Sequence, residues 1–186
     1  PLVTGVQTCA LPISLLAEAG YPGGKGLPPI TLASTPDYLD ICKYIQFQAS
    51  AVGIDLRIEV TPPAAMKEMK AQAKIPFFRA SWIADYPDAE SYLSLFVTGN
   101  FCPTGPNYTH FSDPVYDRLY LEAMAEIRDS VRLSLYRSME QRIMSQTPVM
   151  ILYYDEVLRF TRKNVEGLGI NGMNLLSLKR ARKSDL

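Results

Sequence analysis

Phe-Arg-Ala-Ser-Trp-Ile-Ala-Asp-Tyr-Pro-Asp, residues 78–88, is an apolar run that ends abruptly in two acids, an aromatic residue and a proline. The run predicts that residues 75–84 form a buried strand in the centre of a sheet. Such a strand would carry Trp82 and Asp85 at its carboxyl end, where a flat apolar wall lies beside one negative charge. That pairing suits a ligand with an ammonium group next to an apolar body.

Upstream of this stretch, strand and helix patterns alternate. Residues 30–34 predict a short strand, and apolar residues between 39 and 52 recur at helical spacing, with Asp37 as a candidate cap. Gly53 predicts the end of that helix. Residues 54–60 alternate apolar and charged side chains, as in a half-buried strand, and a short helix is expected from 61 to about 73. This alternation predicts an α/β sheet with helices on its faces.

Downstream, the pattern becomes mainly helical. Residues 88–96 predict a helix, and residues 98–111 predict a long polar loop. Two helices follow, the first opened by Asp113-Pro114 and the second capped by Asp129 or Ser130. Residues 149–154 are apolar on both faces and predict a buried strand, and further short strands are expected over 159–165 and 175–178.

The composition argues against several classes of function. The 186 residues carry 19 basic and 19 acidic side chains, so nothing indicates a nucleic acid or other polyanion as partner. No apolar stretch reaches the roughly 18–20 residues that a membrane helix needs. Cys9, Cys42 and Cys102 show no paired spacing, and the glycines of residues 23–26 lack the spacing of a phosphate loop. We therefore expect neither a metal nor another cofactor.

Residues 1–14 differ from the rest of the chain because they carry no charge. The apolar core of a secretory signal is one interpretation, but no Lys or Arg precedes it, and Gly5, Gln7 and Pro12 interrupt it. Residues 3–13, VTGVQTCALPI, look like the in-frame translation of a common DNA-sequencing adapter. We therefore interpret residues 1–14 as an artefactual segment and expect that the true start of the gene is missing.

Five stretches resemble, in order, motifs of the bacterial extracellular solute-binding proteins of family 5, the peptide, dipeptide and oligopeptide receptors of ABC importers. WIADYPD at 82–88 is similar to the W-x-A-D-Y-x-D/E motif of that family. The other four are LLAEAGYPGGKG at 15–26, IQ with VGIDL at 45–56, NY with DPVYD at 107–117, and RLSLY with PVMILYY at 132–154. The family's proteins are much longer, so the resemblance implies their carboxyl-terminal portion only.

The resemblance implies an α/β fold of the periplasmic-binding-protein-like type II class, a mixed sheet with helices on its faces and an incomplete second lobe. Residues 15–147 would form a ligand-binding lobe, and residues 148–186 would supply a hinge strand and return to the other lobe. The implied function is to capture peptides or similar small solutes between two lobes and to deliver them to ABC permease subunits. The implied protein is not an enzyme, and it is periplasmic or anchored at the cell surface, with any lipid anchor in the missing N-terminus.

One alternative function stays open at this point. A cytoplasmic transcription regulator can carry the same fold as its ligand-sensing domain, and nothing in residues 15–186 separates it from the importer component. A hydrolase would need a nucleophile and a base, and no such pair is evident. Asp85, Asp88 and Glu90 could imitate the paired carboxylates of a glycosidase, but closely spaced acids in a turn are more typical of helix caps.

The resemblance also assigns ligand contacts. In the family, the aspartate of the motif meets the α-amino group of the ligand, and Asp85 occupies the matching position. A carboxylate gains about 1.5–3 kcal/mol net from a charge-assisted hydrogen bond. The structural alternative is a helix cap, which is the favoured role for Asp88. Trp82 either forms a ligand wall or fills a sheet–helix interface, and Tyr86 completes this candidate set.

The loop at 98–111 supplies the remaining candidates, because long polar loops often carry recognition. Asn107 is the best candidate there to hydrogen-bond a peptide-like backbone. Cys102 and His110 stand eight residues apart, and a nucleophilic dyad is conceivable. No motif orients either residue, so the favoured interpretation is a surface histidine beside an ordinary thiol.

Overall fold

The computed structural model describes residues 5–169, 171–173 and 175–184, with side chains from residue 11 onward. The chain forms two compact units, Pro1–Ser81 and Trp82–Leu186. The described elements of the first unit are the helices α1 (Gly5–Glu18), α2 (Leu39–Ala51) and α3 (Pro63–Ala71) and the strands β1 (Ile30–Ser34) and β2 (Leu56–Val60). Those of the second are the helices α4 (Glu90–Leu93), α5 (Pro114–Ala125) and α6 (Asp129–Gln146) and the strands β3 (Val165–Glu166) and β4 (Arg182–Lys183).

The first unit is built on a β–α–β arrangement. Strands β1 and β2 pair in parallel, with register from Ile30↔Leu56 to Ser34↔Val60, and α2 connects them. The inward side chains Leu32, Cys42 and Leu56 form a buried cluster between the helix and the sheet. The strand at 30–34 and the alternating strand are confirmed, although β2 begins two residues later than predicted.

Two turns of the first unit meet through glycines. Gly24 and Gly53 have φ of +75° and +89°, in the left-handed region that glycine adopts most readily. A Cβ on Gly24 would lie 1.7 Å from the carbonyl oxygen of Gly53, and one on Gly53 would lie 2.1 Å from that of Gly23. Neither Gly24 nor Gly53 therefore has room for a side chain.

The predicted strand over residues 75–84 is wrong. Among the described residues, this segment makes one parallel bridge with β1, in which Ala33 N–H donates to the Phe77 carbonyl at 3.0 Å and Arg79 N–H donates to the Ala33 carbonyl at 2.9 Å. A strand requires a row of such pairs along a neighbour, and this segment leaves β1 after one. The apolar residues that follow lie outside a sheet, and Ile83 is 77% exposed.

The core of the second unit lies between α4, α5 and α6. Its buried side chains are Leu93, Phe111, Tyr116, Ala123, Tyr136, Met139 and Ile143. Tyr116 is fully buried, and its hydroxyl donates to the Leu93 carbonyl at 2.7 Å. Burial raises the pKa of Tyr116 far above its usual value, so this hydroxyl stays a donor.

Asp113 caps α5 as the sequence predicts. Its Oδ1 accepts hydrogen bonds from the backbone N–H groups of Val115 (2.9 Å) and Tyr116 (3.2 Å). Its Oδ2 accepts from Arg142 Nε at 2.5 Å and Gln146 Nε2 at 2.6 Å, which ties α5 to α6. The Arg142 guanidinium is the main reason that the pKa of Asp113 falls to about 2.

The caps predicted at Asp37 and at Asp129 or Ser130 do not form. Asp37 lies inside a short 3-10 turn, Pro36–Tyr38, and makes no side-chain cap to the helix that follows. Asp129 is the first residue of α6, and neither it nor Ser130 is the residue before the helix, which is Arg128. Of these predicted cap residues, Asp113 is the one that combines an extended backbone with a proline at the first helical position.

The predicted strands after α6 are also wrong. No residue of 149–154 belongs to a described strand, and Met150, Tyr154 and Phe160 are mostly exposed. Apolarity on both faces predicts burial only where other segments cover both faces, and the described residues do not provide that cover. In place of strands at 159–165 and 175–178, β3 and β4 form a short antiparallel pair, Val165↔Lys183 and Glu166↔Arg182.

The sheets are smaller than the sequence indicates. The described residues form one parallel pair of strands in the first unit and one antiparallel pair in the second. The boundary between the units falls at Ser81 and Trp82. The predicted division into a lobe at 15–147 and a hinge and return at 148–186 concerns a longer protein and stays a prediction.

Candidate functional site

Three of the candidate ligand residues, Trp82, Asp85 and Tyr86, lie in one turn-rich segment of the second unit that leads into α4. The Asp85 N–H donates to Ser91 Oγ of α4 at 3.0 Å, and the Asp88 N–H donates to the Tyr86 carbonyl at 2.8 Å. These bonds fix the backbone of the segment. The Asp85 and Tyr86 side chains are exposed, so the segment presents a carboxylate and an aromatic ring at its surface.

The two acids of this segment differ in their surroundings. Asp88 Oδ1 accepts from the N–H of Glu90, the first residue of α4, at 2.9 Å, and Asp88 Oδ2 pairs with Arg132 Nη1 at 3.1 Å. Asp88 therefore supports the start of the helix, which is the role that the sequence favours for it. Asp85 is the acid whose carboxylate points into solvent.

Trp82 contributes a polar donor as well as a ring. The side chain is half-buried, and its Nε1 atom is buried with no hydrogen-bond partner among the described residues. Buried indole N–H groups in folded proteins nearly always have an acceptor. An acceptor supplied from outside, such as a carbonyl oxygen of a ligand, would satisfy this group.

A cavity of about 290 Å³ adjoins the segment. Its lining consists of Pro87, Asp88, Ala89, Asp129, Arg132, Leu133 and Tyr136. Arg132 Nη1 lies 3.1 Å from Asp88 Oδ2, and Arg132 Nη2 lies 3.2 Å from Asp129 Oδ1. Burial and the nearby Asp88 carboxylate raise the pKa of Tyr136 to about 12. Two carboxylates outnumber one guanidinium here, so the cavity favours neutral or cationic groups over anions.

Arg132 and Tyr136 were not predicted as site residues. Both belong to the RLSLY stretch that carries part of the family resemblance, and this is the only signal for them in the sequence. Helical spacing places the two residues on one face of α6, because they are four positions apart. Nothing in the local pattern shows that this face turns toward residues 87–89.

Asn107 requires a correction, because the structure places it in the interior and not at a ligand surface. Its side chain is 0% exposed, and its Nδ2 donates to the Val97 and Phe111 carbonyls at 3.0 Å each. Its Oδ1 accepts from Thr109 Oγ1 at 2.9 Å. Both amide hydrogens are thus used within the protein, and Asn107 holds the two ends of the loop together.

Cys102 and His110 lie side by side, and His110 is exposed, which is compatible with the favoured interpretation of a surface histidine beside a thiol. Cys102 Sγ is 3.0 Å from His110 Nε2. The imidazole stacks on the Phe101 ring, with ring centroids 4.8 Å apart and an angle of 10° between the planes. A spacing of eight residues in an irregular loop defines no distance, so the sequence could not establish this contact.

Potential metal ligands are scattered through the described part of the chain. Within it, no group of three or more His, Cys, Asp or Glu side chains is placed to hold a metal ion. No helix among the described residues has the length and apolar character that a membrane crossing needs.

Residues 10–101 match the model of the "Bacterial extracellular solute-binding proteins, family 5 Middle". The match contains the Trp82–Asp88 segment and the β–α–β arrangement of the first unit. Over these residues, which are just under half of the chain, the sequence is similar to family 5. The matched segment thus includes three of the four candidate ligand residues, and Asn107 lies beyond it.

Two relatives of the chain are named as peptide-binding proteins. The dipeptide-binding protein DppE of Bacillus subtilis is 27% identical over 161 residues, which cover 85% of this chain and 29% of DppE. The periplasmic oligopeptide-binding protein OppA of Escherichia coli is 25% identical over 158 residues, which cover 82% of this chain and 28% of OppA. The chain therefore spans less than a third of the length of these relatives.

Solved structures support the same fold. The oligopeptide-binding protein AppA of Bacillus subtilis, solved with a nonapeptide, matches with a TM-score of 0.75 at 19% identity, over 92% of this chain and 36% of AppA. This likeness confirms the periplasmic-binding-protein-like type II α/β fold that the sequence resemblance implied.

Proposed function

We propose that this chain is the carboxyl-terminal part of the substrate-binding component of an ABC importer. The whole protein would capture peptides or similar small solutes between two lobes and deliver them to membrane permease subunits. The names of DppE and OppA, and the nonapeptide in AppA, support a peptide as ligand. The proposed role is binding without chemistry, since these relatives are named as binding proteins.

One observation carries the proposal for the site: Asp85 is exposed while the neighbouring acid, Asp88, is engaged with α4 and Arg132. We assign Asp85 to the ammonium group of the ligand, because a charge-assisted hydrogen bond forms there without breaking an internal one. The indole N–H of Trp82 would donate to a ligand carbonyl, and the exposed ring of Tyr86 would cover an apolar part of the ligand. These contacts depend on the peptide main chain and its terminus, so they tolerate many side chains.

The lobes are also part of the proposal. Residues 15–147 would belong to one lobe, and residues 148–186 would cross a hinge and return to the other. The exposed apolar side chains of residues 150–160 support this assignment, because such a surface is expected where another part of a protein packs. Ligand would stabilise a closed form in which it touches both lobes, and the permease would recognise that form.

For location, we propose export to the periplasm or to the cell surface, with a lipid anchor as the means of attachment in the second case. The name of OppA as a periplasmic protein supports export. The alternative of a cytoplasmic transcription regulator receives no support from these relatives. Fractionation of cells that produce the whole protein distinguishes an exported receptor from a cytoplasmic sensor.

The site has a built-in reporter, because Trp82 is the one tryptophan of the chain. We would titrate the chain with trialanine and with N-acetyl-trialanine and record the fluorescence of Trp82. Trialanine should bind about 10–100-fold more tightly, since acetylation removes the charge that pairs with Asp85. Asp85→Asn should remove this preference.

Asp88→Asn is the matched control, because it neutralises an acid of the same segment that is engaged with α4. This variant should keep the preference for the unacetylated peptide. Equal affinity of the unmodified chain for the two peptides, or an unchanged preference in Asp85→Asn, would refute the role assigned to Asp85.

A further inference from the structure

The Cys102 thiol and the His110 imidazole form a pair that ligand binding does not explain. Their Sγ and Nε2 atoms are 3.0 Å apart, which is within hydrogen-bond distance for a sulfur atom. Cys102 is 7% exposed, whereas His110 is exposed. A small reagent therefore approaches the sulfur past a residue that can accept and return a proton.

The surrounding loop holds this pair in place. The Phe101 ring stacks on the imidazole, and the Cys102 N–H donates to the Asn107 carbonyl at 3.3 Å. The buried amide of Asn107 in turn joins the Val97 and Phe111 carbonyls at the two ends of the loop. The positions of thiol and imidazole thus depend on several bonds and not on one flexible side chain.

The backbone of His110 gives a further sign that its position is imposed by the fold. Its φ is +53°, in the left-handed region that few residues other than glycine adopt, although His, Asn and Asp are several-fold enriched there. The same fact guides the design of variants. Glycine and asparagine both accept this φ, so either should replace His110 with little strain.

We propose that Cys102 is a site of covalent modification by small disulfides, with His110 as its proton acceptor and donor. The imidazole takes the thiol proton, and the Cys102 sulfur attacks one sulfur of the disulfide. A new S–S bond forms, the S–S bond of the reagent breaks, and the departing thiolate receives the proton from the imidazolium. One thiol and one disulfide give one mixed disulfide and one thiol, so no additional oxidant is needed.

Cys42 supplies an internal control for the same chain. It is 0% exposed and lies among the apolar side chains Leu32 and Leu56 under α2. Thiols buried in apolar surroundings are unreactive, because they are shielded and the thiolate is disfavoured there. If His110 played no part, any difference in rate between Cys102 and Cys42 would come from their exposure alone.

The experiment uses the whole 186-residue chain with Cys9→Ser, treated with bis(2-hydroxyethyl) disulfide and followed by peptide mass mapping. Cys102 should form the adduct at least about tenfold faster than Cys42. His110→Gly should slow the reaction of Cys102 about tenfold, and added imidazole should restore part of the rate. Rescue by imidazole reports the loss of a base, which a merely structural change would not show.

His110→Asn tests the proposal a second time, because asparagine suits the backbone but is not a base. It should be as slow as His110→Gly, with unchanged far-UV circular dichroism. Equal rates at Cys102 in the parent and in both variants would overturn the proposal. The proposal would also fail if Cys102 reacted no faster than Cys42, or if imidazole did not raise the rate of a folded His110→Gly chain.

Discussion

Residues 98–113 and residues 82–88 are both irregular stretches that lead into a helix of the second unit, yet they use their polar groups in opposite ways. In the longer stretch, Asn107 and Asp113 are buried and bond to the protein itself. In the shorter stretch, Asp85 and Tyr86 are exposed, and Trp82 Nε1 has no partner among the described residues. Both stretches carry polar groups outside regular structure, but burial is what separates the groups that stabilise the fold from those that a ligand can reach.

Asn107→Ala should give the largest loss of stability. The substitution leaves the buried Phe111 carbonyl without its donor, removes one of the two N–H donors to the Val97 carbonyl and removes the bond to Thr109, so we expect a fall of about 3 kcal/mol in the free energy of unfolding. Urea denaturation followed by Trp82 fluorescence measures it. Asn100→Ala is the control, since it removes a single bond to the Ser94 carbonyl at a half-buried position and should cost about 1 kcal/mol. Equal losses would show that Asn107 is not the main anchor of its loop.

Asp113→Asn should have the next largest effect, about 1–2 kcal/mol at neutral pH, because it weakens the cap of α5 and the bond to Arg142. The pKa of Asp113 is lowered in the folded state to about 2, so its stabilisation is complete above the unfolded pKa of about 3.9 and is lost as the pH falls through about 2. The melting temperatures of the parent and of Asp113→Asn should therefore converge as the pH is lowered from 7 to 2.

Asp129→Asn provides the comparison for that series. The Asp129 side chain is 84% exposed, and its bond to Arg132 is a surface ion pair, which usually contributes little to the free energy of unfolding. Asp129→Asn should therefore differ little from the parent. A constant difference between the parent and Asp113→Asn across this pH range would contradict the role of the Asp113 carboxylate as the titrating group.

The smallest effects should come from the segment at 82–88. Asp85→Asn should leave the free energy of unfolding within about 0.5 kcal/mol, because no helix start depends on this carboxylate. Asp88→Asn should lower it by about 1 kcal/mol, through the bonds to Glu90 N–H and Arg132. Chemical denaturation of the two variants measures the difference. A larger loss in Asp85→Asn would mean that Asp85 is structural and would weaken its assignment to a ligand.

Elements with local signals were predictable from the sequence. The alternation of residues 54–60 predicted β2, and Asp113 followed by Pro114 predicted the start of α5, because pattern and cap act over a few neighbouring residues. The fold class followed from the order of such elements and from motif resemblance. The segment at 82–88 was recognised in the same way, and the assignment of Asp88 to the start of α4 agrees with its hydrogen bond to Glu90.

The failures concern non-local properties. Residues 75–84 and 149–154 have the composition of buried strands, but a strand forms only where a neighbour offers matching backbone groups. Asn107 was expected at a ligand surface because loop polarity does not reveal whether a side chain points inward. The contact of Cys102 with His110 depends on how a whole loop folds back, and no spacing rule describes that. Tertiary partners, and not local preference, decided each of these cases.

The facing glycines of the first unit have a consequence for how this sequence can evolve. Because Gly24 and Gly53 each occupy the space that a Cβ on the other turn would need, a change at one cannot be compensated by a change at the other. In a library that varies both positions, the folded variants should keep glycine at each. The stability of the double alanine variant should be about as low as that of either single variant, because one Cβ already prevents the close approach of the turns. The close approach of the two turns is thus maintained by the absence of side chains.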